Sequence, residues 1–325
     1  MKMSSFVLCC FVFAVGLLLP GHGFAQQQQS QPKPKAPGRE YRLEVKYTSG
    51  IAQNYEFTET SSIKRIHSDS STKTFNRNVK YFVTVRCIES LDGISKVVVT
   101  VDSMTYAYES NGTMVVYDSQ VDNTPKNFSD LHHYVALLNR PVTFTMNSYG
   151  EVTKIEGDQI EFWRDYIAEN AADLDSLTLL LWNVSLSDEN IKFVCDLQKG
   201  AIPGLKVAVD SSWTHSYLLC QNGLTVNHPV KSVFSENNGG YYTITTSDSL
   251  NIPPQPYRPF GISQVAQVNN GTVSFTAETI LKNTGVIDEL HLKSLARYKV
   301  SIMNELYTEV VNSDYLWKLT GQFQW

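Results

Sequence analysis

The 325-residue chain has no apolar run of the roughly 20 residues needed to cross a hydrocarbon core. Charge is also scarce: charged residues make up 18% and the formal net charge is -5. Such a balance creates no strong field to attract nucleic acid or an anionic membrane. The sequence lacks the Gly-x-Ser-x-Gly elbow of serine hydrolases, the Gly-x-x-x-x-Gly-Lys-Ser/Thr phosphate loop and the Gly-x-Gly-x-x-Gly dinucleotide fingerprint. It therefore reads as a non-enzymatic protein without a cofactor. Metal binding is not expected either. His132 and His133 are adjacent, so they diverge on a helix or a strand and suit a surface or cap, and no ligand set surrounds His215 or His228.

Cysteine is equally sparse. Of five, Cys9 and Cys10 fall in an N-terminal apolar segment, leaving Cys87, Cys195 and Cys220 beyond it. Two readings stay open. A Cys195–Cys220 disulfide would close the shortest loop and stabilise the fold by roughly 3 kcal/mol. Alternatively, all three are buried thiols acting as small hydrophobes.

What the chain does have is an N-terminal export pattern and a wealth of aromatics. Lys2, the apolar run Phe6–Pro20 and the small-x-small site Gly23-Phe24-Ala25 predict a signal peptide over 1–25, cleaved after Ala25. Loss of Lys2 changes the formal charge from -5 to -6. Cys9 and Cys10 lie inside the run, not after the cleavage box, so a lipid anchor is not expected. The Gln/Pro/Lys-rich stretch 26–39 reads as a solvated linker. With 17 Tyr and 15 Phe the aromatic share is 11%, a composition suited to half-buried pleated surfaces.

Residues 40–157 read as an N-terminal β-meander. Tyr41, Leu43, Val45 and Tyr47 alternate with polar residues, the period of a half-buried strand. Strands follow at 55–58, 80–89, 96–109 and 113–118, with Asp92-Gly93 and Asn111-Gly112 as tight turns. A short helix is expected over 129–138, then a hairpin of 142–146 and 151–155 around Ser148-Tyr149-Gly150. The segment 158–201 changes period: Ile160, Trp163 and Ile167, then Leu177, Leu180, Leu181 and Val184, recur at helical spacing. A third helix should begin after the cap Ser187 and stop at Gly200. Residues 202–325 return to strands at 205–210, 214–220, 230–236, 241–247, 271–281, 286–292, 295–303 and 306–311, with proline-rich 251–261 as an extended crossing. The β halves and central helices form one compact unit or two packed lobes.

Ile202-Pro203, Lys206-Val207-Ala208-Val209 and Trp213, taken with Phe144 to Val152, resemble an uncharacterised family of exported, β-rich bacterial envelope proteins. That family pairs Phe-x-Val-x-x-x-Gly-x-Val with a later Pro…Val-x-Val-Gly-Asp-Ser-Trp. Its Gly-Asp falls on Asp210-Ser211 here, which puts the glycine's tight turn in question. The resemblance implies envelope export and a β-rich fold, and lends no activity.

The architecture expected is α+β, mainly β: a large curved antiparallel sheet or partly open barrel with the central helices packed on its concave side. Such a sheet often leaves an apolar cleft, for which Trp163, Ile167, Leu177 and Leu181 are the candidate lining. The leading expectation is a non-catalytic periplasmic or cell-surface protein that binds a lipid or other hydrophobic ligand, or an envelope protein. One alternative is an outer-membrane barrel, suggested by the aromatic closing strand Tyr315 to Trp325. Another is a surface scaffold or adhesion module using exposed strand edges.

Overall fold

In the computed structural model the described residues are 38–325 except 123, 125–127, 148–150, 197–200, 222 and 260–263. The expected leader and linker lie outside them but for Gly38 and Arg39, as do the hairpin tip Ser148-Tyr149-Gly150 and the helix stop at Gly200.

Hairpin chemistry builds the sheet. Strands β1 (Glu40–Arg42), β2 (Ile51–His67), β3 (Thr72–Leu91), β4 (Ile94–Ser110) and β5 (Thr113–Asp118) precede helix α1 (Ser129–Val135). Then come β6 (Val142–Met146), β7 (Val152–Glu156) and helices α2 (Asp158–Glu169), α3 (Ser176–Ser185) and α4 (Asp188–Cys195). The chain ends with β8 (Lys206–Ala208), β9 (Ser212–Gln221), β10 (Leu224–Asn238), β11 (Tyr241–Ile252), β12 (Gln255–Tyr257), β13 (Ala266–Lys282), β14 (Ile287–Ile302) and β15 (Glu305–Gln324). Asp92-Gly93 (φ 51° and 79°) and Asn111-Gly112 (φ 48° and 80°) sit in the left-handed region, as tight two-residue hairpins require. Asp210 takes φ 72° where the resembling family has glycine. The turn survives because aspartate tolerates that region better than most side chains.

The main sheet is antiparallel throughout, in the order β7-β6-β4-β3-β2-β15-β14-β13-β11-β10-β9, with β5 on β4 and β12 on β13. The two predicted meanders are thus one sheet, joined where β2 pairs with β15 from Ala52↔Phe323 to His67↔Tyr307. It is an open, curved sheet, as expected, not a closed barrel.

Three sequence expectations are corrected. The alternation over 41–47 does bury Leu43 and Tyr47, yet only Glu40–Arg42 is a strand, paired with β8. Beyond it the backbone bonds in turn to Leu205, Gly285 and Cys87. The segment is a strap across three elements; alternation reports which side chains are buried, not whether a ladder exists. Second, 286–292 and 295–303 form the single strand β14, and 306–311 merges with the closing segment into the 20-residue β15. Third, the proline-rich crossing contains β12, which adds Gln255–Tyr257 to the same side of β13 that β11 has just left. Pro256 is tolerated there because the strand is at an edge.

The sheet is one-sided. Along β2, β14 and β15 buried and exposed residues alternate. The inner face carries Tyr55, Phe57, Tyr81, Tyr106, Tyr298, Tyr315 and Trp317, and α1 and α4 pack on it. Tyr81 donates its hydroxyl to the Tyr134 carbonyl at 2.8 Å, and Trp317 donates Nε1 to Val194 O at 3.1 Å. Phe193 of α4 meets Tyr315 and Trp317 edge-on. The outer face carries ion pairs such as Lys80–Glu56 and Lys318–Glu289. Within the aromatic ending Tyr315 and Trp317 are buried on the inner face while Phe323 and Trp325 are exposed, so it does not present the continuous outward apolar band of an outer-membrane barrel.

Trp317 is fully buried against Phe57 and Phe193. Trp317→Ala should lower unfolding free energy by about 3–5 kcal/mol, read from urea melts followed by circular dichroism.

Candidate functional site

Three places in the fold have features beyond packing. The first is the α2–α3 pair, where the sequence put its ligand-lining residues. Asp175 caps α3, its carboxylate accepting from the Leu177 and Thr178 amides, both at 3.0 Å. Ile167 and Leu181 are buried, so these two belong to the core. Trp163 and Leu177 are half-buried, Trp163 packing against the core. Trp163 stacks on Trp182, with centroids 5.5 Å apart and planes 8° from parallel. Phe162 and Tyr166 each meet Trp163 edge-on at 5.6 Å, yet remain 61% and 45% exposed. Of the four predicted residues, Ile167 and Leu181 are buried, Trp163 is half-buried within the aromatic group and against the core, and Leu177 is half-buried.

Beneath this pair the interior is filled. Leu181 lines a cavity of about 10 Å³ with His133 and Arg258. A second cavity, of about 20 Å³, lies between Glu59, Tyr134, Phe193 and Cys220. Neither holds more than about one water.

The second place is a buried charge network that the sequence reading missed. Inward positions of β2 run Tyr55, Phe57, Glu59, Ser61, Ile63, Arg65, so two charges occupy the apolar phase. Arg65 lies opposite Glu309 of β15 and donates Nε and Nη2 to its Oε1 at 2.9 and 2.7 Å. The other Glu309 oxygen accepts from the Tyr257 and Tyr298 hydroxyls at 2.5 and 3.1 Å. Arg77 of β3 donates to Glu59 at 2.5 Å and to Asp130 at 3.2 Å. Glu59 also accepts from Ser61 and Tyr134, and Asp130 from Tyr106 and Arg258 at 2.6 and 3.0 Å. Three guanidiniums thus balance three carboxylates. The available sequence signal was a charge at an inward strand position.

Burial drives the Asp130 carboxyl up, but Arg77, Arg258 and the Tyr106 hydroxyl outweigh it and hold it below its usual range. Burial and the cationic Arg258 push His133 down to about 3. This histidine is a buried neutral partner of the Ser185 hydroxyl, at 2.8 Å, and not the surface or cap residue its sequence position suggested. Cys87, Cys195 and Cys220 are buried thiols. Of the two readings the sequence left open, this is the buried-thiol one: Cys195 ends α4, whereas the Cys220 thiol faces Asn190 and Thr225. Burial raises the Cys220 thiol to about 12, far from the thiolate range of reactive cysteines.

The third place is the seam between the sheet's outer edges. Glu151 and Val152 at β7, Ser216 and Leu218 of β9, and Asp188, Glu189 and Lys192 of α4 border one groove of about 210 Å³.

Two measurements follow. Between pH 6.5 and about 3 the unfolded chain binds a proton at His133 that the folded chain does not. Stability should therefore fall on acidification through that window, by up to about 1.4 kcal/mol per pH unit. Asp130 adds to this below pH 3.8, where its folded carboxyl stays ionised after the unfolded one has protonated. Urea midpoints at pH 7 and 4.5 should differ, and His133→Gln should shrink the difference. Arg77→Met leaves Glu59 without its guanidinium and Asp130 with Arg258 alone, and should cost about 3–5 kcal/mol, measured the same way at pH 7.

No curated protein matches the sequence. Among solved structures, a lipovitellin described for its lipid–protein interactions shares 11% identity at a TM-score of 0.45, covering 86% of this chain and 26% of that one. The chain thus spans about a quarter of that protein. DynF from the dynemicin biosynthesis pathway of Micromonospora chersina shares 7% identity at a TM-score of 0.22, covering 90% of this chain and 92% of its own. An outer-membrane channel from Pseudomonas putida F1 shares 7% at 0.24, covering 89% and 100%. Likeness this distant carries no functional argument. The family comparison is decisive: residues 92–287, more than half of the sequence, match DUF6263, and the chain belongs to this family of unknown function.

Proposed function

We propose that the protein is an exported, non-catalytic binding protein of the cell envelope that takes up a hydrophobic ligand on the outer face of α2 and α3. One observation carries the reading. Phe162, Trp163, Tyr166 and Trp182 form a contiguous, partly exposed aromatic surface, while the cavities beneath it hold about one water each. Exposed apolar patches on water-facing proteins mark interaction sites. A ligand carried inside the sheet would need several hundred Å³, so the surface is the better seat. Export is the part of the reading that rests on the leader pattern over 1–25.

Charge narrows the ligand. Asp158, Glu161, Asp165 and Glu169 accompany the aromatic residues on α2, against Arg164, so an anionic headgroup would be repelled. A zwitterionic or uncharged amphiphile fits.

Tryptophan emission should shift to the blue when phosphatidylcholine vesicles are titrated into the 26–325 protein. Phe162→Ser should weaken that binding roughly 10-fold or more, the equivalent of losing one buried phenyl ring, with an unchanged circular dichroism spectrum. An unmoved emission maximum, or equal binding by the variant, would sink the proposal.

A further inference from the structure

The ends of a sheet are its least protected parts, because their N–H and C=O groups have no neighbour strand. Here those ends are β7 and β9. They differ in how they are defended. β7 has five residues and carries the Lys154–Glu156 ion pair. β9 runs ten residues, Ser212–Gln221, paired with β10 along its whole length. It contains no lysine, arginine, aspartate, glutamate or proline. Helix α4 lies beside part of this edge, where the Cys220 thiol faces Asn190; the rest is protected by neither charge, proline nor shortness and is a template for one more strand.

The groove beside it limits what that strand can be. Both edges border the same space, about 210 Å³, below the roughly 300 Å³ at which small-molecule clefts begin. Its walls supply Glu151, Asp188, Glu189 and Asp196 against Lys192, and Arg164 pairs with Asp188 at 2.7 Å. Counting that arginine, four carboxylates still face two cations. A second copy of this chain would bring the same acidic rim to the interface, and like charge would oppose it.

We infer that the β9 edge accepts an added strand from a cationic, extended segment of another polypeptide, whose backbone pairs with Ser212–Gln221 and whose lysines or arginines sit in the acidic seam. The backbone ladder supplies affinity and the charge supplies selection. This surface is separate from the α2–α3 aromatic face, so either can fail without the other.

The test uses two labelled eight-residue peptides of equal charge, one alternating lysine with valine and one alternating lysine with proline, titrated into the 26–325 protein and followed by fluorescence anisotropy. The valine peptide should bind at least ten-fold more tightly, because proline cannot donate to a ladder. Hydrogen exchange should slow at amides of 212–221 in the valine complex. Glu189→Lys should weaken binding several-fold and Lys192→Glu should strengthen it, and both lie on the exposed side of α4, where the fold tolerates change. Equal affinity for the two peptides would mean charge alone and would overturn the added strand. Slowed exchange at 212–221 in the protein alone, with a dimer mass in solution, would give the edge to a second copy and overturn the cationic partner.

Discussion

The pairing of β2 with β15 holds the fold together. It joins two antiparallel meanders of opposite chain ends into one sheet, and the helices find an inner face broad enough to cover only because of it. The pairing is selected by what it buries. Arg65 and Glu309 face each other across the ladder, and Ser61 and Ser313 share a hydrogen bond two rungs further on. A one-residue slip would turn every aromatic of β15 toward water. A two-residue slip would leave Glu309 opposite Ile63 or His67, a buried carboxylate without its guanidinium. Burying an ion pair adds little net stability, whereas separating its partners is expensive; the pair therefore acts on alternatives to the native register more than on the native state.

The same logic extends from sheet to helix. Arg77 links Glu59 on the neighbouring strand to Asp130 in the first turn of α1, and Arg258, beyond β12, reaches Asp130 from the far side. One neutral cluster thus fixes β2, β3, α1 and the segment after β12 to one another. The tyrosines around it, Tyr106, Tyr134, Tyr257 and Tyr298, each bring a large apolar ring and a hydroxyl that satisfies a carboxylate. The inner face is consequently polar at its centre and apolar around it, and the two cavities described there measure only about 20 and 10 Å³.

Much of this architecture was legible in the sequence. Gly-containing turn pairs located the hairpins, the change from a two-residue to a 3.6-residue period located α2 and α3, and Ser187 announced α4. What failed did so for physical reasons. The strap at 41–47 alternates because its side chains alternate in burial, and local sequence does not tell whether a strand lies beside it. β14 and β15 looked broken because Ser294 and the Asn312-Ser313 pair interrupt the apolar phase, although Ser294 and Ser313 face inward. The candidate site fared worse. Trp163 and Ile167, like Leu177 and Leu181, are four apart and share a helix face but differ in burial, and the charge network draws on β2, β3, β15, α1 and the segment after β12, residues far apart in the chain.

That last strand has a consequence in time. Ala52 cannot meet Phe323 until every residue between them exists, so the central rungs of the sheet are among its longest-range contacts. Such topology folds slowly, since loop closure must be met before the contacts reward it. During synthesis β2 waits with its partner edge open and its inner aromatics uncovered. A polypeptide built this way cannot complete the centre of its sheet until β15 has been made, so the last step of its folding trails its elongation.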